Sequence, residues 1–527
     1  MTDFTWDFPY PSKRMPVFAK NVVAASQPLA AQAGLKMLQL GGNAVDAAIA
    51  TAIALTVVEP NNNGMGSDAF AIVWDGKKLQ GLNASGKSPK ALNQKAFSGM
   101  KAMPSQGWGP TTVPGAVSAW AALHEKYGKL PFCKLFMPAM EYAENGYLLS
   151  PVIGRSWASL KETYKDFPDW RDTFLFNGNA PKIGEKVVFK YHARTLKRIM
   201  ETKGEAFYHG EIAERIVAHS KKTGGWFSLE DFAEHAPFWV DPISVEYHGY
   251  TLNEMPPNGQ GIAALIMLGI LKNMDLQKYP VDSADSLHCQ IEAMKLAFAD
   301  ARNYVADPSY MVVKSSDILD SSYLAERAKL IDMKQAKNPS WGTPPRGGTV
   351  YLTAADSEGM MVSYIQSNFW SFGSGIVIPE TGIALQNRGM GFTLDEGHPN
   401  QVGGGKRPYH TIIPAFVTQN SKPVMSFGVM GGAMQPQGHA QMVTRIFDYR
   451  QNPQAAADAP RWQVIKDSEV ALEPGFKPEV VNELISRGHK IVTIDESNFG
   501  GAQLIYKIDD GYCAGSEPRK DGHAVGF

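Results

Sequence analysis

The hydrophobic pattern of the chain predicts a mixture of helices and strands. Residues 44–58 are an apolar, alanine-rich run that is too short to span a bilayer, so we predict a buried helix there. We predict further helices at residues 29–40, 116–127, 131–145, 200–210, 262–271, 290–304, 440–449 and 478–487. We predict strands at residues 15–27, 70–74, 377–385, 412–419 and 423–429.

The most informative stretch is a predicted β-hairpin at residues 350–367. Residues 350–355 are rich in β-branched and aromatic residues, Asp356-Ser357-Glu358-Gly359 supplies a turn, and residues 360–367 run back as the second strand. Gly347-Gly348-Thr349 precedes the first strand. Such a sequence is either an ordinary loop end or the site of a self-cleaving N-terminal nucleophile.

The second interpretation has a definite chemistry. A glycine at position 348 can take strained backbone angles that a side chain would forbid. The Thr349 hydroxyl would attack the carbonyl of Gly348 and release a free α-amino group on Thr349. Because an α-amino group titrates near pH ~8, it would serve as the general base for its own hydroxyl.

Composition excludes several other classes of protein. The 527 residues carry a net charge of -1, with 44% hydrophobic and 20% charged residues, which is typical of a soluble globular protein with an ample core. The balanced charge argues against a nucleic-acid partner or an anionic membrane. Three widely separated cysteines form neither a disulfide framework nor a metal motif. The first residues have acids and prolines where a signal peptide has an apolar run, so we expect a cytoplasmic protein.

Motifs around the hairpin resemble the γ-glutamyltransferase family of N-terminal-nucleophile hydrolases, and further matches upstream extend the resemblance over nearly the whole chain. The matching motifs are Thr349 with Asp356, Gly359, Val362 and Ser363; residues 372–376; residues 379–383; Leu385-Gln386-Asn387; and Gly428 with Gly431 and Gly432. The resemblance implies an α+β fold, a four-layer αββα sandwich. It also implies cleavage into residues 1–348 and 349–527, which remain associated as one interleaved unit, with homo-oligomers of such units possible.

The resemblance also assigns catalytic roles. Thr349 corresponds to the nucleophile, and Gly431 and Gly432 correspond to the glycine pair whose N–H groups stabilise the oxyanion. Ser367 corresponds to the hydroxyl residue that supports the amine of the nucleophile. We place Asn368 in the substrate pocket. No cofactor or metal is expected, and His288, Glu292 and Asp300 are interpreted as structural.

The predicted substrate pocket departs from the family pattern. Ser85 stands where glutathione-cleaving members have an arginine, and nearby Lys87 is a candidate replacement. Gly391 stands where those members have an acid that holds the substrate's ammonium group. Arg388, His410 and Thr411 occupy other pocket positions, so we expect a pocket with a buried arginine and no acid, which favours an acyl group with a carboxylate and no amine.

We therefore predict a threonine amidohydrolase or acyltransferase that acts on a γ-glutamyl or similar small, carboxylate-bearing amide. Oxamate hydrolysis and glutaryl or cephalosporin acylase activity are alternatives, with glutathione a poor substrate. An inactive, uncleaved scaffold homologue is the hypothesis of a different class. The glycine-rich loop at residues 57–71 is either a plain connection or part of the active site, because glycine lets backbone approach a ligand closely.

Overall fold

The computed structural model describes residues 13–339 and 348–527. These two segments contain the following α-helices: α1 (Pro28–Gln39), α2 (Ala44–Val58), α3 (Ala116–Tyr127), α4 (Phe132–Asn145), α5 (Pro151–Ser159), α6 (Pro168–Phe174), α7 (Lys190–Thr202), α8 (Glu205–Tyr208), α9 (Glu211–Thr223), α10 (Leu229–Ala233), α11 (Gly261–Leu271), α12 (Ala284–Tyr304), α13 (Ser315–Ile318), α14 (Ser321–Ala328), α15 (Met434–Val443), α16 (Pro453–Asp458) and α17 (Pro478–Ser486).

The strands of the same segments are β1 (Val17–Ala19), β2 (Val22–Ala25), β3 (Asp68–Trp74), β4 (Leu79–Asn83), β5 (Tyr147–Leu148), β6 (Lys186–Val187), β7 (Phe238–Val240), β8 (Ile243–Tyr247), β9 (Tyr250–Glu254), β10 (Gly348–Ala355), β11 (Met361–Phe369), β12 (Val377–Ile378), β13 (Ile383–Ala384), β14 (Ala415–Gln419), β15 (Lys422–Met430), β16 (Trp462–Lys466), β17 (Glu469–Leu472), β18 (Lys490–Val492), β19 (Gly501–Ile508), β20 (Gly511–Ser516) and β21 (His523–Gly526).

Two seven-stranded antiparallel sheets pack face to face. Sheet I has the order β21-β2-β10-β11-β3-β4-β7, and sheet II has the order β1-β20-β19-β15-β14-β9-β8. Buried side chains such as Phe70, Tyr351 and Ile365 from sheet I meet Phe416 and Ile505 from sheet II in the space between the sheets. Such interdigitation removes both inner faces from water and is the main favourable contribution to folding of a sandwich.

Helices cover the outer face of each sheet. The helices α1 to α4 share one core with the outer face of sheet I, and α11, α12 and α15 share another with the outer face of sheet II. The predicted αββα architecture is therefore confirmed. Each sheet contains strands from both sides of the Gly348–Thr349 bond: in sheet I, β2 pairs with β10 and β21, and β3 pairs with β11.

The predicted hairpin is confirmed and lies at the centre of sheet I. β10 pairs with β11 on one side and with β2 on the other. The buried helix α2 has the predicted bounds, because Asn43 caps its N-terminus in a reciprocal capping box with Asp46. α2 packs on the outer face of β10 and β11. No described helix combines the length and the apolar composition that crossing a bilayer requires.

Two predicted strands are wrong as single elements. Residues 15–27 form β1 in sheet II and β2 in sheet I, because the N–H groups of Lys20 and Asn21 both donate to the carbonyl of Phe527 and turn the chain between the sheets. Residues 377–385 form the short pair β12 and β13 around a turn in which Glu380 and Gly382 have positive φ angles of 57° and 74°.

Three predicted helices also have different bounds. The helix predicted at residues 290–304 begins earlier, at Ala284. The helix predicted at residues 200–210 is interrupted, because Lys203 and Gly204 have φ angles of 50° and 92° and separate α7 from α8. The helix predicted at residues 440–449 starts earlier, at Met434, and its C-terminal part is the π-helix Thr444–Asp448.

The polar, proline-rich sequence of residues 329–345 predicts a flexible surface arm. In its described part this arm lies on the surface, but buried groups hold it. The N–H of Lys337 donates to Glu292 Oε2 at 2.9 Å, and Lys295 Nζ donates to the carbonyl of Lys337 at 3.1 Å. His288 Nε2 lies 2.9 Å from the carbonyl oxygen of Asp332. Residues 340–345 of the predicted arm lie outside the described residues.

The buried cluster of His288, Glu292 and His489 has the composition of a metal site, because one ligand atom from each lies within 4.8 Å of the others. Its atoms are already used: His288 Nδ1 is 2.8 Å from His489 Nε2, and the ammonium group of Lys295 is 2.7 Å from Glu292 Oε1. A cation in contact with the carboxylate competes with a metal for the same charge. These contacts favour the structural interpretation.

Candidate active site

Thr349, the predicted nucleophile, lies at the start of β10 beside a bulge in β11. Gly348 pairs with Phe369 and Val350 pairs with Gln366, so two residues of β11, Ser367 and Asn368, lie opposite the single residue Thr349. Thr349 is only 2% exposed. The bulge brings the Ser367 hydroxyl next to Thr349.

The Ser367 hydroxyl connects the nucleophile to the bond that it would cut. Ser367 Oγ lies 3.1 Å from Thr349 Oγ1 and donates to the carbonyl oxygen of Gly348 at 2.8 Å. Because a carbonyl oxygen only accepts, the Ser367 proton points at Gly348, and the Thr349 hydroxyl is then the donor to Ser367. Thr349 is thus oriented by the same hydroxyl that polarises the carbonyl of Gly348.

The space around Gly348 excludes a side chain. A Cβ on Gly348 would lie 2.6 Å from Asn62 Oδ1 and 3.2 Å from Ser371 Oγ. The neighbours of the Gly348–Thr349 bond therefore leave no room for a side chain.

The glycine-rich loop before β3 contacts the candidate site. The carbonyl of Asn62 accepts a hydrogen bond from the N–H of Asn368 at 3.1 Å, and Ser67 Oγ donates to Asn368 Oδ1 at 2.8 Å. The carbonyl of Gly66 accepts from Gln386 at 3.1 Å, so the loop ties β11 to the segment that carries Arg388.

Arg388 is fully buried beside the end of β11. It opens a short 3-10 helix, Arg388–Gly391, and its guanidinium carbon lies 4.5 Å from the ring centre of Phe369. Nη1 donates to Thr411 Oγ1 at 2.6 Å, whereas Nε and Nη2 have no hydrogen-bond partner among the described residues. Burial lowers the Arg388 pKa to about 9, so the group is cationic at neutral pH.

Asp68 is a site residue that the sequence analysis missed. Its carboxylate lies 3.1 Å from His410 Nε2 and 3.9 Å from Arg388 Nε, and all three side chains are buried. Burial raises the pKa of Asp68 to about 7, and the nearby Arg388 limits that rise. Burial also lowers the pKa of His410 well below its ordinary value, so neutral His410 donates to Asp68.

Asp68 corrects the expectation of a pocket with a buried arginine and no acid. The predicted lack of an acid at position 391 stands, because a Cβ on Gly391 would lie 2.1 Å from the carbonyl oxygen of Tyr409. The acid comes instead from the start of β3, where Asp68 is the cross-strand partner of Ser367. The absence of an acid to pair with the substrate's ammonium group is therefore no longer a reason to expect glutathione to be a poor substrate.

Asn368 adds another unpartnered donor to the same region. Its Nδ2 is buried without a hydrogen-bond partner in the described part of the chain, as are Nε and Nη2 of Arg388. The carbonyl of Asn368 accepts from the N–H of Asn387, the residue before Arg388, at 3.1 Å. Buried donors without acceptors are costly, and a ligand that supplies acceptors removes that cost.

Gly431 and Gly432 lie between β15 and α15 with φ angles of 126° and 59°. A Cβ on Gly431 would lie 3.0 Å from the Cα of Gly500. Neither N–H group donates to another described residue, so both are available to a ligand. Gln260 Nε2 donates to the carbonyls of Thr411 and Gly432 at 2.6 and 2.8 Å, which connects the glycine pair to the Arg388 side of the site.

Ser85, which stands in place of the family's arginine, and Lys87, the candidate replacement for that arginine, differ in position. Lys87 is exposed and is not part of the buried cluster. Ser85 is buried, and its carbonyl accepts a hydrogen bond from Arg407 Nε at 3.0 Å. A guanidinium group therefore still lies beside position 85, although it comes from a different part of the chain.

Comparisons with known proteins agree with this geometry. The gamma-glutamyltranspeptidase family model matches residues 30–527. The chain is 35% identical to the glutathione hydrolase-like YwrD proenzyme of Bacillus subtilis, with 96% of this chain and 98% of that protein covered. It is 32% identical to the oxamate amidohydrolase proenzyme of Klebsiella pneumoniae, with 97% and 99% covered.

A solved structure is closely similar as well. The crystal structure of cephalosporin acylase from Bacillus halodurans superimposes with a TM-score of 0.96 at 49% identity and covers 100% of this chain and 99% of that one. These relatives are hydrolases of the N-terminal-nucleophile kind, and so is this enzyme. The chain belongs to the gamma-glutamyltranspeptidase family.

Proposed function

We propose that this protein is a self-processing threonine amidohydrolase that cuts its chain before Thr349 and then hydrolyses a small amide whose acyl group carries a carboxylate. The observation that carries the proposal is the hydrogen-bonded series from Thr349 Oγ1 through Ser367 Oγ to the carbonyl oxygen of Gly348. Nucleophile, proton acceptor and polarised carbonyl are adjacent in the uncut chain.

Self-cleavage follows from this arrangement. The Thr349 oxygen attacks the carbonyl carbon of Gly348 while its proton leaves toward Ser367. The amide bond between Gly348 and Thr349 breaks, the proton passes to the departing nitrogen, and an ester joins Gly348 to the Thr349 side chain. Water hydrolyses that ester, which leaves a Gly348 carboxylate and a free amine and hydroxyl on Thr349.

Turnover repeats the chemistry on an external amide. The freed amine of Thr349 removes the proton of its own hydroxyl, and the hydroxyl attacks the substrate carbonyl. The N–H groups of Gly431 and Gly432 stabilise the oxyanion, and the leaving amine takes up the proton. The acyl group stays on Thr349 until water, or a second amine in a transfer reaction, removes it.

Arg388 is the proposed partner of the substrate's carboxylate. Its two unpartnered nitrogens match the two oxygens of a carboxylate, and bidentate pairing of this kind is strong and directional. Asn368 Nδ2 adds a donor nearby. A γ-glutamyl or glutaryl group, which has a carboxylate several bonds from the scissile carbonyl, satisfies this requirement.

Oxamate hydrolysis is the second candidate, and the likeness to an oxamate amidohydrolase supports it. In oxamate the carboxylate is bonded directly to the amide carbonyl, so Arg388 would have to lie much nearer to Thr349 than a glutaryl substrate requires. The length of the acyl chain that is hydrolysed fastest therefore distinguishes the two candidates.

The experiment combines maturation with a substrate series. Purified protein is analysed by mass spectrometry, and ammonia release is followed with oxamate, succinamate, glutaramate and glutamine as substrates. The proposal requires two fragments that stay associated and activity that Thr349→Ala abolishes. A single intact chain without activity would support the inactive-scaffold alternative.

A further inference from the structure

We propose that Glu59 is a positioning residue for self-cleavage: its buried carboxylate fixes the side-chain amide of Asn62 against Gly348 and so holds the scissile bond in place. This inference rests on the proposed self-processing before Thr349. It adds a residue that acts through another and touches neither the nucleophile nor the substrate.

The contacts form a short series that ends at the scissile bond. Ser26 Oγ donates to Glu59 Oε2 at 2.6 Å, and Asn62 Nδ2 donates to Glu59 Oε1 at 2.7 Å. With its nitrogen held by Glu59, the Asn62 amide presents Oδ1 to Gly348, at 2.6 Å from the point where a Cβ would be. Turning the amide over would break the hydrogen bond to the carboxylate.

The backbone around Asn62 is fixed as well. Glu59 follows the last residue of α2, and its N–H donates to Leu55 at 3.0 Å. The N–H of Asn62 donates to the carbonyl of Glu59 at 3.2 Å, and the carbonyl of Asn62 accepts from Asn368. Helix α2, through Glu59, thereby determines the position of the Asn62 side chain next to Gly348.

Burying a carboxylate to hold a loop in place costs free energy, because the charge loses its hydration. Glu59 is 0% exposed, and no cation forms an ion pair with it within 4.0 Å in the described part of the chain. Burial raises its pKa to about 7. Two hydrogen bonds from neutral donors, rather than a salt bridge, keep it charged above that pH.

Protonation of Glu59 should weaken the arrangement. The added proton must point at a group that now donates to the carboxyl group, so either the Ser26 hydroxyl or the Asn62 amide has to turn. The other titratable groups that act on Glu59 are Lys520 and Asp521, and Tyr147 lies near enough for the Glu59 charge to raise its pKa. Burial is the main cause that raises the pKa of Tyr147, and burial lowers the pKa of Lys520.

The test follows self-cleavage as the full-length chain is made in a cell-free translation, with time points resolved on denaturing gels between pH 5.5 and 9. Glu59→Gln imitates the protonated acid. We expect it to slow cleavage at pH 8 by about tenfold, the effect of losing one hydrogen bond to a charged group. We expect the cleavage rate of the natural chain to fall below about pH 7, the pKa of Glu59. The rate of Glu59→Gln should not show this fall.

Controls separate positioning from general damage. Glu254→Gln neutralises an equally buried carboxyl group, on β9 beside His439, and should leave both the rate and its pH profile unchanged. Asn62→Ala should slow cleavage as Glu59→Gln does, and the double variant should be no slower than Asn62→Ala alone, since Glu59 acts through Asn62. Thermal unfolding in a Thr349→Ala background checks that each variant folds.

The outcomes separate the two proposals. Loss of cleavage in Thr349→Ala, together with an unaltered rate and pH profile in Glu59→Gln, overturns the role of Glu59 and leaves the proposed function intact. Additive effects of the two substitutions also overturn it. If the natural chain is not cut before Thr349, the proposed function itself fails. If Glu59→Gln does not fold, the test depends on Asn62→Ala alone. An unaltered self-cleavage rate in Asn62→Ala would then overturn the role of Glu59.

Discussion

Arg388 provides the sharpest test of the substrate pocket. Arg388→Gln removes the buried positive charge but keeps a polar side chain of similar reach. The expected result is a selective loss of kcat/KM for acyl groups that carry a carboxylate. An uncharged acyl group of the same length should be hydrolysed about as well as before, because it gains nothing from the guanidinium group.

The magnitude follows from the contacts of Arg388. Two nitrogens, Nε and Nη2, are free to bind a carboxylate, and hydrogen bonds to charged groups are worth about 1.5–3 kcal/mol each. Asp68 lies 3.9 Å from Arg388 Nε and offsets part of the guanidinium charge, which brings the two bonds to or below the lower end of their summed range, about 3 kcal/mol. We therefore expect a net loss of about 2–3 kcal/mol, or roughly 30- to 150-fold in kcat/KM.

The assay compares glutaryl p-nitroanilide with pentanoyl p-nitroanilide on the cleaved protein. The ratio of their kcat/KM values in the natural enzyme and in Arg388→Gln isolates the contribution of the charge and cancels general damage to the site. A ratio that changes by less than about threefold in a folded, cleaved variant, where the charge should contribute ~2 kcal/mol, would refute the proposed contact between Arg388 and the carboxylate.

Three further predictions concern the rest of the site. Thr349→Ala should remain one chain and Thr349→Ser should cleave more slowly, while mass spectrometry of the natural protein should find a new N-terminus at Thr349 and nowhere else. Gly431→Ala should lower kcat more than it raises KM, by about 2.7–4 kcal/mol if an oxyanion donor is lost; an unchanged kcat in a folded, cleaved protein would contradict that role. Asp68→Asn should shift the kcat/KM ratio of γ-glutamyl to glutaryl anilide toward glutaryl by about tenfold, since only the γ-glutamyl group has an ammonium that gains from the acid; equal losses on both substrates would show that Asp68 acts through structure alone.

Features that depend on local sequence were predictable. The β-branched run of β10 and the capping residues Asn43 and Asp46 of α2 determine their elements from neighbouring positions, and those bounds were predicted closely. Thr349, Ser367 and Arg388 were proposed from motif positions, and the structure places the hydroxyls of Thr349 and Ser367 in contact and Arg388 against Phe369 of the same strand as Ser367.

Features that depend on pairing between distant segments were not predictable. Asp68 faces Ser367 only because β3 pairs with β11 in one register, and a shift of one residue would point it to the other face of the sheet. Glu59 reaches the scissile bond through Asn62 because α2 ends beneath β10. The division of residues 15–27 between two sheets likewise depends on contacts with the last residue, Phe527.

Each sheet contains strands from both proposed fragments, and this limits how the two fragments could separate. β10 lies between β2 and β11 in sheet I, and β14 lies between β15 and β9 in sheet II, with strands from before and after the proposed cut hydrogen-bonded side by side. Separating the fragments would require breaking both sheets, so dilution should not dissociate them and no exchange of fragments between molecules should occur short of denaturation. Differently labelled preparations of the mature enzyme, mixed and incubated, should therefore keep their original partners indefinitely. A chain cut as proposed would hold its fragments in a one-to-one ratio, because both would come from one folded polypeptide.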